Sequence, residues 1–296
     1  MSIKLKKQLI EISVKSLADE IDFSGDVGLK LIVNGQNPTP MEISAGGLVI
    51  FRQDLQNFHE EADEIIVAHA IYAATVESKN VQVVADDTDI YIMLLYHYYT
   101  NSIETPMTPT RCGRTVIDIK ATVEQLGEMC LDILPAHALT GCAPVPMLHG
   151  IGKLIMLKTL KEHKHSLSLI GDLSADFGDV VSQATKFIGS CYGIHSAISM
   201  TDVRVKSWIK KTGRKTATKV PKLSSLPPTS EAFQQNVKRA HLQSAIWKAA
   251  LRDPPCVDPV DFGWERVEET RTLRPIGLPA SEQSAPEYIM KIVYCS

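Results

Sequence analysis

Asp87 and Asp89 stand two residues apart, directly after the apolar run Val81 to Ala85. That run reads as a buried strand, so the two acids lie at a strand's carboxyl end. If the chain stays extended there, both side chains point the same way. A carboxylate pair on one side is a hard oxygen site suited to Mg²⁺ or Mn²⁺. Glu61 and Asp63 lie where the chain enters another helix. Should that entry sit beside the strand end, four carboxylates converge, and their mutual repulsion calls for divalent cations. Two such metals would activate water and stabilise a leaving oxygen in phosphodiester hydrolysis. The same residues admit a plainer reading: Asp-x-Asp is a common turn or cap, and acids in a first helical turn commonly just cap it.

The elements that would position these acids follow from periodicity and punctuation. Lys4 to Leu17 reads as a helix and Gly28 to Val33 as a strand closed by Asn34-Gly35. Gly47 to Phe51 is a further apolar run, and a helix runs from His59 through Ala74. After Asp86-Asp87-Thr88-Asp89 comes an apolar helix, Ile90 to Tyr98, and then Thr115 to Ile119 reads as a strand. Strands alternating with helices indicate an α/β layer fold with a mainly parallel sheet. Sites in such sheets form at the carboxyl ends of strands. Beyond Lys120 the chain turns helical: Ala121 to Ile133, Leu154 to His163 and Val180 to Cys191, the last with Val180, Ala184, Phe187 and Cys191 on one face. Near Thr201 the composition shifts to a basic segment. Leu226-Pro-Pro-Thr-Ser then forms a hinge with Thr229 or Ser230 as helix cap, and a Trp247-bearing helix precedes a Pro-rich tail from Asp253, read as irregular. The organisation is thus a core over 1–200 and a basic segment, helix and tail over 201–296.

The strings Glu61-Ala62-Asp63, Val83-Val84-Ala85-Asp86-Asp87-Thr88-Asp89, Leu134-Pro135-Ala136-His137-Ala138-Leu139-Thr140-Gly141-Cys142-Ala143 and Gly150-Ile151-Gly152-Lys153 together resemble flap-endonuclease and XPG-type 5′-nucleases, the PIN/FEN-like superfamily. The resemblance implies a partial Rossmann-like three-layer fold followed by a helical region with a helix-hairpin-helix-type turn. It also implies a metal-dependent, structure-specific nuclease, with Glu61, Asp63, Asp87 and Asp89 as catalytic metal ligands for Mg²⁺ or Mn²⁺. Gly150, Gly152 and Lys153 would hold the backbone of DNA or RNA, supported by Lys158 and Lys161. Two departures qualify it. Ala143 stands where the pattern wants aspartate, and two aspartate-bearing strands are expected upstream of Lys4. The implied activity is therefore weakened or lost, and the alternative is a catalytically dead module that binds nucleic acid or protein.

The rest of the composition constrains partners and place. A formal net charge of −3 over 296 residues puts any nucleic-acid contact on a local patch. The basic segment around Trp208 is one candidate, with that ring available to stack on a base. Six scattered cysteines without a Cys-x-x-Cys pair argue against zinc. No apolar stretch approaches the roughly 20 residues needed to span a bilayer. Together these suggest a reducing intracellular setting, nuclear or cytoplasmic, with no membrane contact. His69 reads as a core histidine, and His137 and His149 lack partners at ligand spacing. Cys142 has no evident base to activate it.

Overall fold

The computed structural model of the chain describes residues 12, 16, 30–35, 37–44, 48–77, 80–110, 116–163, 166–213 and 221–277. The helix expected over Lys4–Leu17 lies, apart from Ile12 and Ser16, outside them. Two compact units divide the chain: Met1–Ile65 with Arg252–Pro254, and Ile66–Leu251 with Pro255–Ser296.

In the first unit, β1 (Lys30–Val33), β2 (Met41–Ser44) and β3 (Leu48–Phe51) form an antiparallel sheet in sequence order. Ile32 stands opposite Glu42, and Glu42 opposite Ile50. Glu42 is buried, yet Lys30 and Arg52 both reach its carboxylate. The hydrogen bond from Lys30, outweighing the cost of burial, holds that carboxyl below its ordinary range. His59 closes the unit through a 2.9 Å hydrogen bond between Nε2 and the carbonyl of Arg252.

The second unit begins inside helix α1 (Ala62–Thr75). Strand β4 (Val81–Val84) leads into α2 (Thr88–Thr100), and β5 (Met107–Thr110) pairs with β4 in parallel register, Val83 opposite Pro109. Helices follow: α3 (Ile119–Leu126), α4 (Cys130–Thr140), α5 (Lys153–His163), α6 (Phe177–Cys191), α7 (Met200–Thr212) and α8 (Ser230–Lys248). Helix α4 is buried without interruption from Ile133 to Thr140, as a helix at the centre of a core must be. It packs between α2 and α8, with α5 beside it. The α6 stripe Val180, Ala184, Phe187 and Cys191 is buried as its spacing predicts, and Thr229 caps α8 through its hydroxyl.

The expected fold class is overturned. The described residues hold three small separate sheets, two of them antiparallel, and the only parallel pairing is β4–β5. Helices dominate, so the Rossmann-like layer with a mainly parallel sheet is absent from the described residues. Local chemistry accounts for the difference. Within Thr115 to Ile119, Asp118 is the N-cap of α3, its carboxylate taking the Ala121 N–H at 3.0 Å, and Ile119 is already helical. The partner strand lies earlier, where Pro109 deprives it of one N–H and so of a strand-like appearance. The described part of the tail, residues 253–277, also departs from the irregular chain expected. A 3₁₀ turn (Pro259–Phe262) leads into a hairpin of β6 (Trp264–Val267) and β7 (Thr272–Pro275). Arg239 anchors it by donating to the Gly263 carbonyl at 2.9 Å and lying over the Trp264 ring.

Candidate functional site: the Asp89–His137 corner and the Gly150 turn

Strand β4 ends on Val84, and Asp87 adopts extended backbone geometry as the N-cap of α2. Its Oδ1 accepts the Asp89 backbone N–H at 2.9 Å. The capping alternative thus describes what Asp87 does here, satisfying one of the N–H groups that a helix start leaves without partners. Asp89, in the first turn, reaches the other way. Its Oδ1 lies 2.7 Å from Nε2 of His137, whose side chain is only 3% exposed. The His137 ring sits against Trp247 on α8, while its Nδ1 is buried with no hydrogen-bond partner.

Helix α4 ends at Gly141, and Lys153 closes it. The ammonium donates to the carbonyls of Gly141 (2.6 Å) and His137 (3.0 Å) and to the Thr140 hydroxyl (3.2 Å). Three donors meet three acceptors at the negative end of the helix dipole. Burial pulls the Lys153 pKa down, and the Cys142 and Asp89 side chains oppose that fall. The backbone groups of Cys142 and Val145 bond to each other, making Ala143-Pro144 the middle of a tight turn. Burial, with the Asp89 charge nearby, pushes the Cys142 thiol up to about 12.

A thiol held protonated in this way is a weak nucleophile, which yields a measurable expectation. At about pH 8, iodoacetamide should label the exposed Cys256 in the native chain. Cys142, and the Cys130 and Cys191 thiols that burial raises to about 11, should label only after unfolding. Peptide mapping of the adducts reads the pattern, and native-state labelling of the half-buried Cys142 would contradict its raised pKa.

The remaining sequence-predicted residues fall in two places. Glu61 is exposed and Asp63 half-buried at the start of α1, in the first unit, whereas Asp87 and Asp89 belong to the second. Among the described residues, no group of three or more His, Cys, Asp or Glu side chains is placed to hold a metal ion. Gly150 and Gly152 stand exposed in the turn before α5, and a Cβ at either would meet nothing within 4 Å. Gly150 has φ +78°, a left-handed conformation suited to glycine. Lys158 and Lys161 lie on the exposed face of α5, Lys158 weakly paired with Glu162 at 3.7 Å. Lys153 spends its charge inward.

Part of the basic segment is likewise occupied, while its Arg214, Lys215 and Lys219 lie outside the described residues. Arg204 is buried and donates to the Pro227 and Leu223 carbonyls, Lys206 pairs with Asp202, and Lys211 holds the Ser225 carbonyl. Trp208, 5% exposed, packs with Leu226 and offers no face to a base. No described helix is long and apolar enough to cross a membrane.

Comparison of the chain with protein-family models, curated proteins and solved structures finds no match. With no family support, no metal-holding group among the described residues and a different sheet architecture, the resemblance to PIN/FEN-like nucleases does not stand as an identity. Of the strings shared with that pattern, Asp87 caps α2, Leu134 to Thr140 form the buried body of α4, and Gly150 to Gly152 make the turn before α5. Sequence reasoning missed the pairing of His137 with Asp89, which lies 48 residues away and follows no ligand spacing. It also missed Asp132 and Lys248. Asp132 left a faint signal, an acid inside the apolar string Leu131-Asp132-Ile133.

Proposed function

We propose that this chain is a non-catalytic module that binds the sugar–phosphate backbone of nucleic acid through the Gly150–Lys153 turn and the exposed face of α5. The observation that carries this reading is the open turn at the start of α5. Two exposed glycines leave room for close approach, and the helix start presents backbone N–H groups toward incoming anions. Lys158 and Lys161 follow on that helix, and exposed Met147, Leu154 and Ile155 surround the turn with apolar surface that can rest on sugar and base. The acids that could hold Mg²⁺ or Mn²⁺ are engaged otherwise, Asp87 as a cap and Asp89 with His137. Binding without cleavage follows from that division.

The test is fluorescence anisotropy with labelled single-stranded, duplex and stem-loop oligonucleotides across a salt series. Affinity should fall as salt rises, because bound phosphates release counterions. Joint replacement Lys158→Gln and Lys161→Gln should weaken binding uniformly across sequences and flatten the log–log salt slope by about 2, roughly one per phosphate contact. No binding at low salt, or a slope unchanged by the replacements, overturns the reading. Cleavage in Mg²⁺ or Mn²⁺ that Asp87→Ala abolishes would replace it with a metal-dependent hydrolase.

A further inference from the structure

A cleft of about 960 Å³ opens in the second unit, walled by the end of α3, the turn after it, α4, α5 and the 166–172 loop. Its size is that of a small-molecule site. Tyr96, Leu126, Met129 and Leu160 give it apolar walls, and the hydroxyl-bearing Ser166 and Ser168 stand exposed on the loop side. Two acids and two bases also line it: the exposed Glu128 and Lys161, and, both half-buried, Asp132 from α4 and Lys248 from the end of α8.

Both are fixed on the same loop. Asp132 Oδ1 accepts the Leu167 N–H at 2.6 Å, and Lys248 Nζ donates to the Ile170 carbonyl at 2.7 Å. Leu167 and Ile170 are fully buried, so the loop carrying these bonds is pinned into the core. Gly171 N–H donates to His241 Nδ1, and Leu169 N–H to Gln183 Oε1, which fixes it further. Each charged group has used one hydrogen bond and retains capacity: the second oxygen of Asp132 and two N–H donors of Lys248. The two attract each other electrostatically but form no ion pair with one another. With Glu128 and Lys161 added, two negative and two positive groups line the cleft, so an anion alone or a cation alone meets repulsion as well as attraction.

We propose that this cleft is a binding site for a small zwitterion with an apolar body, its amine facing Asp132 and its carboxylate facing Lys248, the chemistry of a free apolar amino acid. Burial supports the reading in a second way. It raises the Asp132 pKa and lowers that of Lys248, so each charged form is short of solvation that a ligand's opposite charge would supply. The site shares Lys161 with the exposed face of α5 but rests on Asp132 and Lys248, and its probes are amino acids rather than oligonucleotides.

Isothermal titration of the full chain with L-phenylalanine and L-leucine tests it, beside phenylpropionate, which lacks the amine, and phenethylamine, which lacks the carboxylate. Saturable binding of the amino acids is expected, with each truncated analogue weaker by about tenfold or more, the loss of one charge-assisted hydrogen bond. Asp132→Asn and Lys248→Met should each weaken phenylalanine binding by a similar factor. Because both side chains also pin the loop, Ser168→Trp provides the independent variant: it should fill the cleft and abolish binding while leaving the melting temperature near that of the parent. No saturable binding of either amino acid overturns the proposal. So does equal affinity for the truncated analogues, or binding that survives Ser168→Trp.

Discussion

Replacing Gly141 by alanine is expected to destabilise the second unit by about 2–5 kcal/mol, while the same change at Gly150 costs about 1–2 kcal/mol. Both glycines have positive φ, +122° and +78°. They differ in what a side chain would meet. At Gly141 a Cβ would lie 2.8 Å from Cγ and 2.9 Å from Cα of Met147, so backbone must move. At Gly150 nothing lies within 4 Å, and the cost is the left-handed backbone alone. Gly141 also carries the carbonyl that Lys153 holds at 2.6 Å, so any shift there loosens the clamp on the end of α4. Each kcal/mol should lower the melting temperature by about 2–4 °C for a unit of this size. Thermal denaturation followed by circular dichroism compares the two variants. Equal losses would mean that the Met147 contact is soft and that conformation alone sets both values.

The legible parts of this fold were those written in local chemistry. The stripe Val180, Ala184, Phe187 and Cys191 names a buried helix face because 3.6-residue periodicity leaves few alternatives. Thr229 after two prolines marks a helix start for the same kind of reason. Strand β4 was visible as an apolar run, but which strand pairs with it was not. The apolar Val116 and Ile117 imitate a strand although Asp118 caps a helix there, and Pro109 disguises the strand that does pair. Once that pairing is misplaced, a two-stranded parallel ribbon looks like the centre of a larger sheet. The site shows the same limit. Asp87 as a cap was one of two readings of Asp-x-Asp, and spacing alone could not choose between them. The bond from His137 to Asp89 depends on α4 packing against α2, a tertiary fact that no spacing rule encodes.

That bond supports the other large prediction. His137→Leu should cost about 3–5 kcal/mol, since it leaves a carboxylate with 15% side-chain exposure facing a buried apolar surface. Asp89→Asn should cost less, about 1–2 kcal/mol. Its amide oxygen can still accept from Nε2–H, and only the charge assistance is lost. The double variant should be more stable than the sum of the two single losses implies, with a coupling of about 1–3 kcal/mol, because an uncharged amide tolerates the apolar neighbour better than a carboxylate does. Urea unfolding of the four proteins closes the cycle. Coupling near zero would show that Asp89 and His137 do not depend on each other, and would return Asp89 to the pool of acids free to bind a cation. Strong coupling ties its charge to the α2–α4 contact. A carboxylate committed in that way is a poor metal ligand, since binding a cation through Oδ1 would first have to release His137 from the one hydrogen bond its buried ring makes.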